Sequence, residues 1–183
     1  MTEETPPRRF CRFRTGTSDA TSDYQPLPSD GLCLSAYVLL RSAEGSDLIL
    51  VGEPDAAHPW DRIGALSRER IRSGAGWMLP ASHLALFEGP DDAAHRILVE
   101  QLGDPPITLR GPRAFSEAYR RRDDRDPHWD LHFLYEGEWP RDRPLPGAPW
   151  RTLEFLAAHR TSRRAFRRGH EDVLSLAGVT LAP

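Results

Sequence analysis

The polar and apolar residues of the chain become regularly ordered only after about residue 30, where two apolar stretches follow one another. LCLSAYVLL (32–40) and DLILVGE (47–53) are separated by the polar residues SAEGS (42–46). Apolar runs of this length are typical of strands rather than helices, and a short linker that contains a glycine is typical of a hairpin. The pattern therefore predicts two antiparallel strands with Gly45 in the turn between them.

Residues 91–102 have the pattern of an amphipathic helix. Pro90 precedes this segment and Gly103 follows it, and these residue types commonly begin and end helices. The acidic residues that open the segment suit the positive end of a helix dipole. Residues three and four positions apart share one face of such a helix. That face includes Ile97, Glu100 and Gln101.

Further strands and helices follow in mixed order, which is typical of an α/β domain. The segments that predict strands are ITLRG (107–111), HWDLHFLYEGEW (128–139) and TLEFL (152–156). The other segments are a loop or short helix within 55–75 and a helix at 170–177. We therefore predict one α/β domain over residues 31–183, preceded by a polar tail, residues 1–30, without stable structure of its own.

The chain contains no lysine, so all 24 of its lysine-plus-arginine residues are arginines. A phosphate-binding P-loop needs its lysine, and Schiff-base chemistry needs a lysine amine, so both are excluded. Arginine is nevertheless well suited to binding phosphate through two parallel hydrogen bonds. The net charge of −3 gives no general argument for nucleic acid as a partner.

Cysteine content and the start of the chain favour a cytoplasmic protein. Cys11 and Cys33 are isolated and lack the spacing of metal ligands, so we expect no disulfide framework. The opening residues MTEET do not resemble a signal peptide, and no apolar stretch approaches the roughly 20 residues that span a bilayer. We accordingly expect no membrane contact.

Residues 79–103, LPASHLALFEGPDDAAHRILVEQLG, resemble the signature of the Nudix hydrolases, which cleave diphosphate bonds in nucleoside diphosphates linked to another group. The resemblance is in register without a gap, and its specified positions run from 82 to 104. The positions that match the family are Glu88, Arg96, Leu98, Glu100 and Gly103. The positions that differ are Ser82 for glycine, Ile97 and Gln101 for glutamate, and Asp104 for an apolar residue.

This resemblance implies an α/β/α sandwich with a mixed β-sheet, in which an ion pair of Glu88 and Arg96 braces the loop to the helix. It also implies that magnesium, or manganese, would be held by carboxylates at positions 97, 100 and 101. Magnesium prefers oxygen ligands, so Ile97 offers it nothing and Gln101 offers only a neutral carbonyl. Glu100 is therefore the one expected metal ligand and catalytic residue. The signature at positions 82–104, which we call the box, is thus degenerate.

Outside the box, several polar residues are candidate ligand contacts. On a strand, His128, Asp130 and His132 would point to one side, but the two histidines would lie roughly 13 Å apart and could not chelate one ion together. Glu117, Glu136 and Glu138 are acids that could replace the missing carboxylates, although each is more typical of a solvated surface. His83 could face a ligand or be an ordinary loop residue. Trp60 and Trp77 could stack on a planar ligand, but packing in the core is the more common role.

Two arginine-rich segments have two interpretations each. Arg8, Arg9, Arg12 and Arg14 alternate with aromatic residues in the tail. HRTSRRAFRRGH (159–170) holds five arginines and two histidines. Either segment could bind phosphate, and a solvated surface is the alternative that we favour because no basic stripe continues elsewhere.

Two functions follow from the resemblance and its departures. In the first, ordinary hydrolysis is lost, weak or replaced, while the cleft still binds a small, phosphate-containing molecule and needs no cofactor. In the second, the chain is an active magnesium-dependent hydrolase that uses Glu100 with an acid from outside the box. We favour the first, because two of three carboxylates are missing. A homodimer is a further possibility that the family resemblance implies, and the identity of the ligand is left open.

Overall fold

The computed structural model describes residues 12–13, 32–64, 66–119 and 128–183 of the chain. Within these ranges, seven strands form one mixed sheet with helices on both faces. The strands are β1 (Arg12–Phe13), β2 (Leu32–Ser42), β3 (Gly45–Pro54), β4 (Ala81–His83), β5 (Arg110–Tyr119), β6 (His128–Trp139) and β7 (Trp150–Ala157). The helices are α1 (Trp60–Ile63), α2 (Arg68–Ser73), α3 (Pro90–Leu102) and α4 (His170–Leu176), with short 3₁₀ turns at Ala158–Arg160 and Arg163–Ala165.

Strand β2 is the centre of the sheet. The order is β5-β6-β2-β3-β7, in which β2 and β6 are parallel and the other neighbours are antiparallel. On the side of β2 away from β6, three strands pair with successive parts of β2. Strand β3 pairs with the last residues of β2, β4 pairs with residues 35–37, and β1 pairs with residues 32–33. The segment that leads into the box is therefore inserted between β2 and β3.

The two faces of the sheet carry separate apolar cores, because successive side chains of a strand point to opposite faces. Val38 and Leu40 pack with Ile97 and Leu98 of α3, on what we call the α3 face. Leu39 packs with Val173 and Leu174 of α4, on the α4 face. The predicted fold class, an α/β/α sandwich with a mixed sheet, is confirmed.

The structure corrects two details of the predicted elements. The hairpin is present, but the turn is Ala43–Glu44 and Gly45 is already the first residue of β3. Of the predicted strand 107–111, only its end belongs to β5. Ile107 and Leu109 instead pack on the α3-face core above Gly137 of β6, so their apolar alternation reflects this packing rather than strand pairing.

The remaining element predictions are confirmed to within a few residues. The predicted strands 128–139 and 152–156 are β6 and the middle of β7, and the predicted helices are α3 and α4. Apart from Arg12 and Phe13, the predicted tail lies outside the described residues. The single domain over 31–183, the cytoplasmic location and the homodimer stay predictions. Among the helices of the described ranges, none has both the length and the apolar character needed to cross a bilayer.

Two tryptophans join β7 to the box helix. The Trp60 and Trp150 rings meet edge to face with centroids 4.7 Å apart, and both side chains are buried. Trp150 Nε1 donates to the Gln101 carbonyl oxygen at 2.7 Å, so the indole reaches the end of α3. The Trp150 ring lies so close to Gly52 of β3 that a Cβ there would be 2.3 Å from its nearest carbon. Glycine at position 52 is thus required by the tryptophan.

We predict that Gly52→Ala lowers the free energy of unfolding by about 1–3 kcal/mol, the usual cost of overpacking a well-filled core. In a domain of this size this corresponds to about 2–4 °C in Tm per kcal/mol. Gly147→Ala is the matched control, because no atom of the described ranges lies within 4 Å of a Cβ at that position. Thermal unfolding followed by circular dichroism measures both. Equal Tm values for the two variants would contradict the proposed role of Trp150.

Candidate functional site

Arg96 on α3 organises the loop that connects β4 to this helix. Its guanidinium donates to both carboxylate oxygens of Glu88, at 2.6 and 2.7 Å. The remaining donors reach Ser82 Oγ at 3.1 Å and the His83 carbonyl oxygen at 2.9 Å. Glu88 Oε2 also accepts from the Ala85 backbone N–H at 2.7 Å. The pair is only slightly exposed, so it forms a bidentate, largely desolvated brace between loop and helix.

Ser82, which stands where the Nudix pattern has glycine, is part of this brace. The side chain is buried, and its hydroxyl accepts from Arg96 and donates to the His83 carbonyl oxygen at 3.1 Å. A hydroxyl here satisfies one of the arginine donors, which a glycine could not do.

Helix α3 is fixed at both ends. Pro90 occupies the first turn, and the Tyr135 hydroxyl donates a short hydrogen bond to Asp91. Burial first, and then this contact with Asp91, raises the pKa of Tyr135. At the other end Gly103 adopts a left-handed conformation with φ of 69°, and the chain closes the helix through the Asp104 N–H to the Leu98 carbonyl oxygen.

Ile97 and Gln101, at two positions of the predicted metal face, are fully buried. Ile97 belongs to the α3-face core. The Gln101 amide is satisfied on both sides: Oε1 accepts from the Ala81 N–H at 3.2 Å, and Nε2 donates to the Ala81 and Ile63 carbonyl oxygens at 2.9 Å. Neither side chain is available to an ion.

Glu100, the remaining carboxylate of that face, lies beside a positive charge. Its Oε2 is 3.9 Å from Arg96 Nη1, one turn earlier on the helix. A magnesium ion prefers several oxygen ligands in near-octahedral geometry. One carboxylate next to a guanidinium, an enclosed amide and an isoleucine do not fit that requirement. Within the described ranges, no group of three or more acids, histidines and cysteines is arranged to hold a metal ion.

A second set of polar side chains lies on the α4 face, in adjacent strands. Ser35 Oγ is 3.0 Å from His83 Nδ1, and His132 Nε2 is 3.3 Å from Glu117 Oε2. Strand registration pairs Ser35 with His132, and Glu117 with Asp130. We call these five residues the polar strip. Its members are contributed by β4, β2, β6 and β5, so the sheet brings together four separate regions of the sequence.

His132 is the most enclosed member of the polar strip. Its side chain is buried, and its Nδ1 has no hydrogen-bond partner within the described part of the chain, whereas its Nε2 faces Glu117. A buried nitrogen without a partner is uncommon in proteins and often marks a place where water or another molecule completes the bonding. The polar strip as a whole combines carboxylates with imidazoles. Because carboxylates repel phosphate, these groups suit ligand hydroxyl or amino groups better.

Tyr37 connects the polar strip to α4. Its ring contacts the His132 and His170 rings edge to face, at centroid distances of 5.2 and 5.4 Å. Burial, followed by the nearby carboxylates of Asp130 and Glu117, raises the pKa of the Tyr37 hydroxyl. Burial, followed by the charge of Arg167, lowers the pKa of His170 to about 3. His170 Nδ1 accepts from the Leu79 N–H at 3.1 Å, which requires that nitrogen to be unprotonated.

The three acids considered as replacements for the missing carboxylates do not lie on the α3 face. Glu117 is paired with His132, and Glu136 contacts Arg113 at 3.0 Å and Arg41 at 3.9 Å. Glu136 and Glu138 lie two and four residues after Leu134 on β6, so their side chains point to the same face as Leu134. Leu134 packs in the α4-face core. The strand alternation thus separates all three acids from the face that α3 covers.

The remaining candidate residues have varied surroundings. Trp60 is in the core with its Nε1 bonded to the Pro149 carbonyl oxygen, and Trp77 is partly buried against the α4-face core. His128 belongs to β6, but its side chain lies outside the described part, as do Arg8, Arg9 and Arg14.

In the basic run, Arg167 donates to the carbonyl oxygens of Arg70, Ile71, Gly74 and Gly76. Arg167 is thus a structural residue rather than a solvated one.

The sequence arguments did not single out Ser35 and Tyr37, although a signal was present. Cys33, Ser35 and Tyr37 alternate with apolar residues in strand β2 and therefore share one face. The apolar character of the whole run concealed this alternation. The partnership of Asp91 with Tyr135 was also missed, since nothing in the local sequence relates residues 44 positions apart.

The comparisons with known proteins concern fold only. No protein-family model matches the chain, and no curated protein matches it. Among solved structures, it is similar to the dihydroneopterin triphosphate pyrophosphohydrolase of E. coli, at 12% identity over 68% of this chain and 80% of that chain, with a TM-score of 0.48. It is also similar to a MutT protein from Methanosarcina mazei Go1, at 12% identity over 79% and 91% of the two chains, with a TM-score of 0.49. A MutT Nudix hydrolase from Burkholderia pseudomallei gives 14% identity over 79% and 96%, with a TM-score of 0.44.

We predict that restoring the family's glutamates destabilises the protein. Ile97→Glu places a carboxylate without a partner in the core, which should cost about 3–5 kcal/mol or shift its pKa strongly upward. Gln101→Glu removes the donor that serves two buried carbonyl groups and should cost about 1–3 kcal/mol. Urea unfolding measures both variants.

Val99→Glu is the matched control, because Val99 lies on the same helix and is 42% exposed. We expect its free energy of unfolding to stay within about 0.5 kcal/mol of the parent. A stable Ile97→Glu/Gln101→Glu protein that gains metal-dependent hydrolysis would contradict the structural role assigned to these positions.

We also predict a loss of stability in mild acid that depends on His170. Because folding lowers the pKa of this imidazole, its neutral form is favoured in the folded state. This contribution is complete above the unfolded pKa of about 6.5 and is lost as the pH falls towards 3. Between pH 7 and pH 5 the parent should lose about 2 kcal/mol through this group.

His170→Gln tests this, since glutamine retains a side-chain acceptor but does not take up a proton. Urea unfolding at pH 7, 6 and 5 should give a flatter pH dependence for the variant than for the parent. Parallel curves for the two proteins would show that His170 does not carry the effect.

Proposed function

We propose that this chain is a Nudix-like binding domain that retains a small, phosphate-containing ligand and does not hydrolyse it through the family's metal chemistry. The box helix serves as a structural element in this proposal. The single observation that carries it is the enclosure of Gln101, whose amide is engaged by three backbone groups where the family pattern has a metal-binding glutamate.

The surroundings of Glu100 support the same conclusion. A carboxylate beside Arg96 is already neutralised in part, and it has no second carboxylate from its own helix face to share an ion with. An active hydrolase would need an acid from elsewhere, and the three considered, Glu117, Glu136 and Glu138, belong to the opposite face of the sheet by strand alternation. The hydrolase alternative is therefore not favoured.

The polar strip is the surface that we propose for contacts with the uncharged polar groups of the ligand. His83, Asp130 and Glu117 would accept or donate hydrogen bonds there, with His132 between them. Carboxylates repel phosphate, so the strip suits hydroxyl or amino groups, and the phosphate requires a separate, positively charged region. His128 remains a candidate contact on the same strand.

We predict no significant hydrolysis of ADP-ribose, nucleoside diphosphate sugars or nucleoside triphosphates in the presence of magnesium or manganese. The assay measures release of phosphate and of nucleoside monophosphate by chromatography, and it compares the parent with Glu100→Gln. We expect the same background rate for both proteins, because Glu100 is not part of a metal site.

Glu136→Gln is a suitable control, since it removes a carboxylate of similar exposure that contacts two arginines on the opposite face. Metal-dependent turnover that disappears in Glu100→Gln and persists in Glu136→Gln would overturn the proposal in favour of an active hydrolase. The loss of a catalytic acid or base typically lowers the rate by about 10² to 10⁴, which such an assay readily detects.

A further inference from the structure

A shallow, open pocket lies on the α4 face, at the basic run 159–170, which the sequence predicts to be a solvated surface. It has a volume of 380 Å³, within the range of small-molecule sites. We call it the Arg pocket, and its lining residues are Arg163, Arg164, Phe166, Arg168, Glu171 and Pro183. Neither the box nor the polar strip contributes a residue to this lining.

The lining combines positive charge with apolar residues. It contains three arginine side chains and one glutamate, and because Arg163 is paired with Asp172, the positive charge available to a ligand comes from Arg164 and Arg168. Phe166 and Pro183 are the apolar members of the lining, and Phe166 is largely buried in the α4-face core. Arg164 and Arg168 are exposed at the rim, and Arg163 is held in position by Asp172 at 3.0 Å and by Ser175 at 2.7 Å. A guanidinium group pairs well with the oxygens of a phosphate through parallel hydrogen bonds.

Glu171 adds a second feature that calls for a ligand. Its Oε2 is enclosed but has no hydrogen-bond partner among the described residues. Burial, as the largest cause, raises the pKa of this carboxyl group. A carboxyl oxygen enclosed without a partner costs stability, and a hydroxyl or amino group of the bound molecule, rather than its phosphate, would remove that cost.

We propose that the Arg pocket binds the phosphate group of a small molecule, with an apolar or aromatic part of that molecule against Phe166. The proposal rests on the proposed function in one respect, namely that the phosphate is kept rather than cleaved. It also provides a positively charged site for the phosphate group, which the carboxylates of the polar strip would repel. His170, next to Glu171 in sequence, contacts Tyr37 beside the strip, so pocket and strip belong to the same face.

A small molecule fits the pocket better than a nucleic acid does. Nucleic-acid binding requires a basic track that spans several phosphates, and this chain has a net charge of −3. The Arg pocket instead concentrates its arginines around one small, open pocket. Size and charge therefore favour a single phosphate group with one attached ring or chain.

The test is isothermal titration calorimetry with phenyl phosphate, in the presence of EDTA so that metal-dependent hydrolysis cannot contribute. Phenol, inorganic phosphate and benzoate are titrated separately, to distinguish the contributions of ring, phosphate and a different anion. The variants are Arg164→Gln and Arg168→Gln. Arg141→Gln is the matched control, because Arg141 is an exposed arginine outside the pocket and the change in net charge is the same.

We expect saturable binding of phenyl phosphate that is tighter than that of the other three probes. Loss of one charge-assisted hydrogen bond should weaken it about tenfold in Arg168→Gln and Arg164→Gln, while Arg141→Gln binds as the parent does. The absence of saturable binding, or equal weakening in all three variants, would overturn the proposal. Tighter binding of benzoate would overturn the assignment of phosphate.

A short single-stranded RNA provides the remaining comparison. Binding of the RNA that is stronger than that of phenyl phosphate and is weakened by Arg164→Gln and Arg168→Gln would overturn the small-molecule assignment. These outcomes are independent of the hydrolysis assay. Failure of the proposed function appears as metal-dependent turnover, whereas failure of the Arg pocket appears as absent or unspecific binding in EDTA.

Discussion

The arrangement of the box depends on the side-chain amide of Gln101. An amide offers a donor and an acceptor at once, and here it bonds to both backbone groups of Ala81 and to the carbonyl oxygen of Ile63. The backbone oxygen of the same residue accepts from Trp150, so one position of α3 is joined to β4, α1 and β7. A glutamate could not donate to the two carbonyl groups, and it would bring a charge into a fully buried position. Glutamine, at a position where the pattern that the sequence resembles has glutamate, therefore fits this interior.

The other end of the box is held by Arg96 and Glu88, and this brace works without a metal ion. Its charges neutralise each other within hydrogen-bonding distance, and the remaining arginine donors are satisfied by Ser82 and the His83 carbonyl oxygen. The brace also maintains a costly turn. Phe87, immediately before Glu88, is 97% exposed and has a φ of 67°, a left-handed conformation that costs roughly 1–2 kcal/mol for a residue with a Cβ. Such a turn persists because Glu88 is fixed on both sides, by Ala85 and by Arg96.

Periodicity was sufficient to predict most of the elements, because strands β2, β3 and β6 and helix α3 bury apolar faces that alternate in the expected way. It failed at Ile107 and Leu109, whose apolar spacing comes from packing over Gly137, a neighbour that local sequence cannot reveal. The site was less accessible for the same reason. The sequence indicated that Ile97 and Gln101 are poor metal ligands, but only the fold relates Gln101 to Ala81 and Ile63. The polar strip required the register of four strands, and it emerged from residues 35, 83, 117, 130 and 132 only when the sheet brought them together.

Ile97 and Gln101 stand where the Nudix pattern that the sequence resembles has carboxylates, and these two residues determine how α3 packs on the sheet. With Ile97 and Gln101 in those positions, α3 packs directly on the apolar side chains of β2 and β6. The described polar and charged groups that lack complete partners, His132 Nδ1 and Glu171 Oε2, are instead found on the α4 face. Cations at the Arg pocket and carboxylates along the polar strip then give that face two regions of opposite charge, which a ligand with one anionic and one neutral polar end would match. These incompletely bonded polar groups, which lie beside the apolar core of the α4 face, are the physical argument for the proposed ligand-binding role.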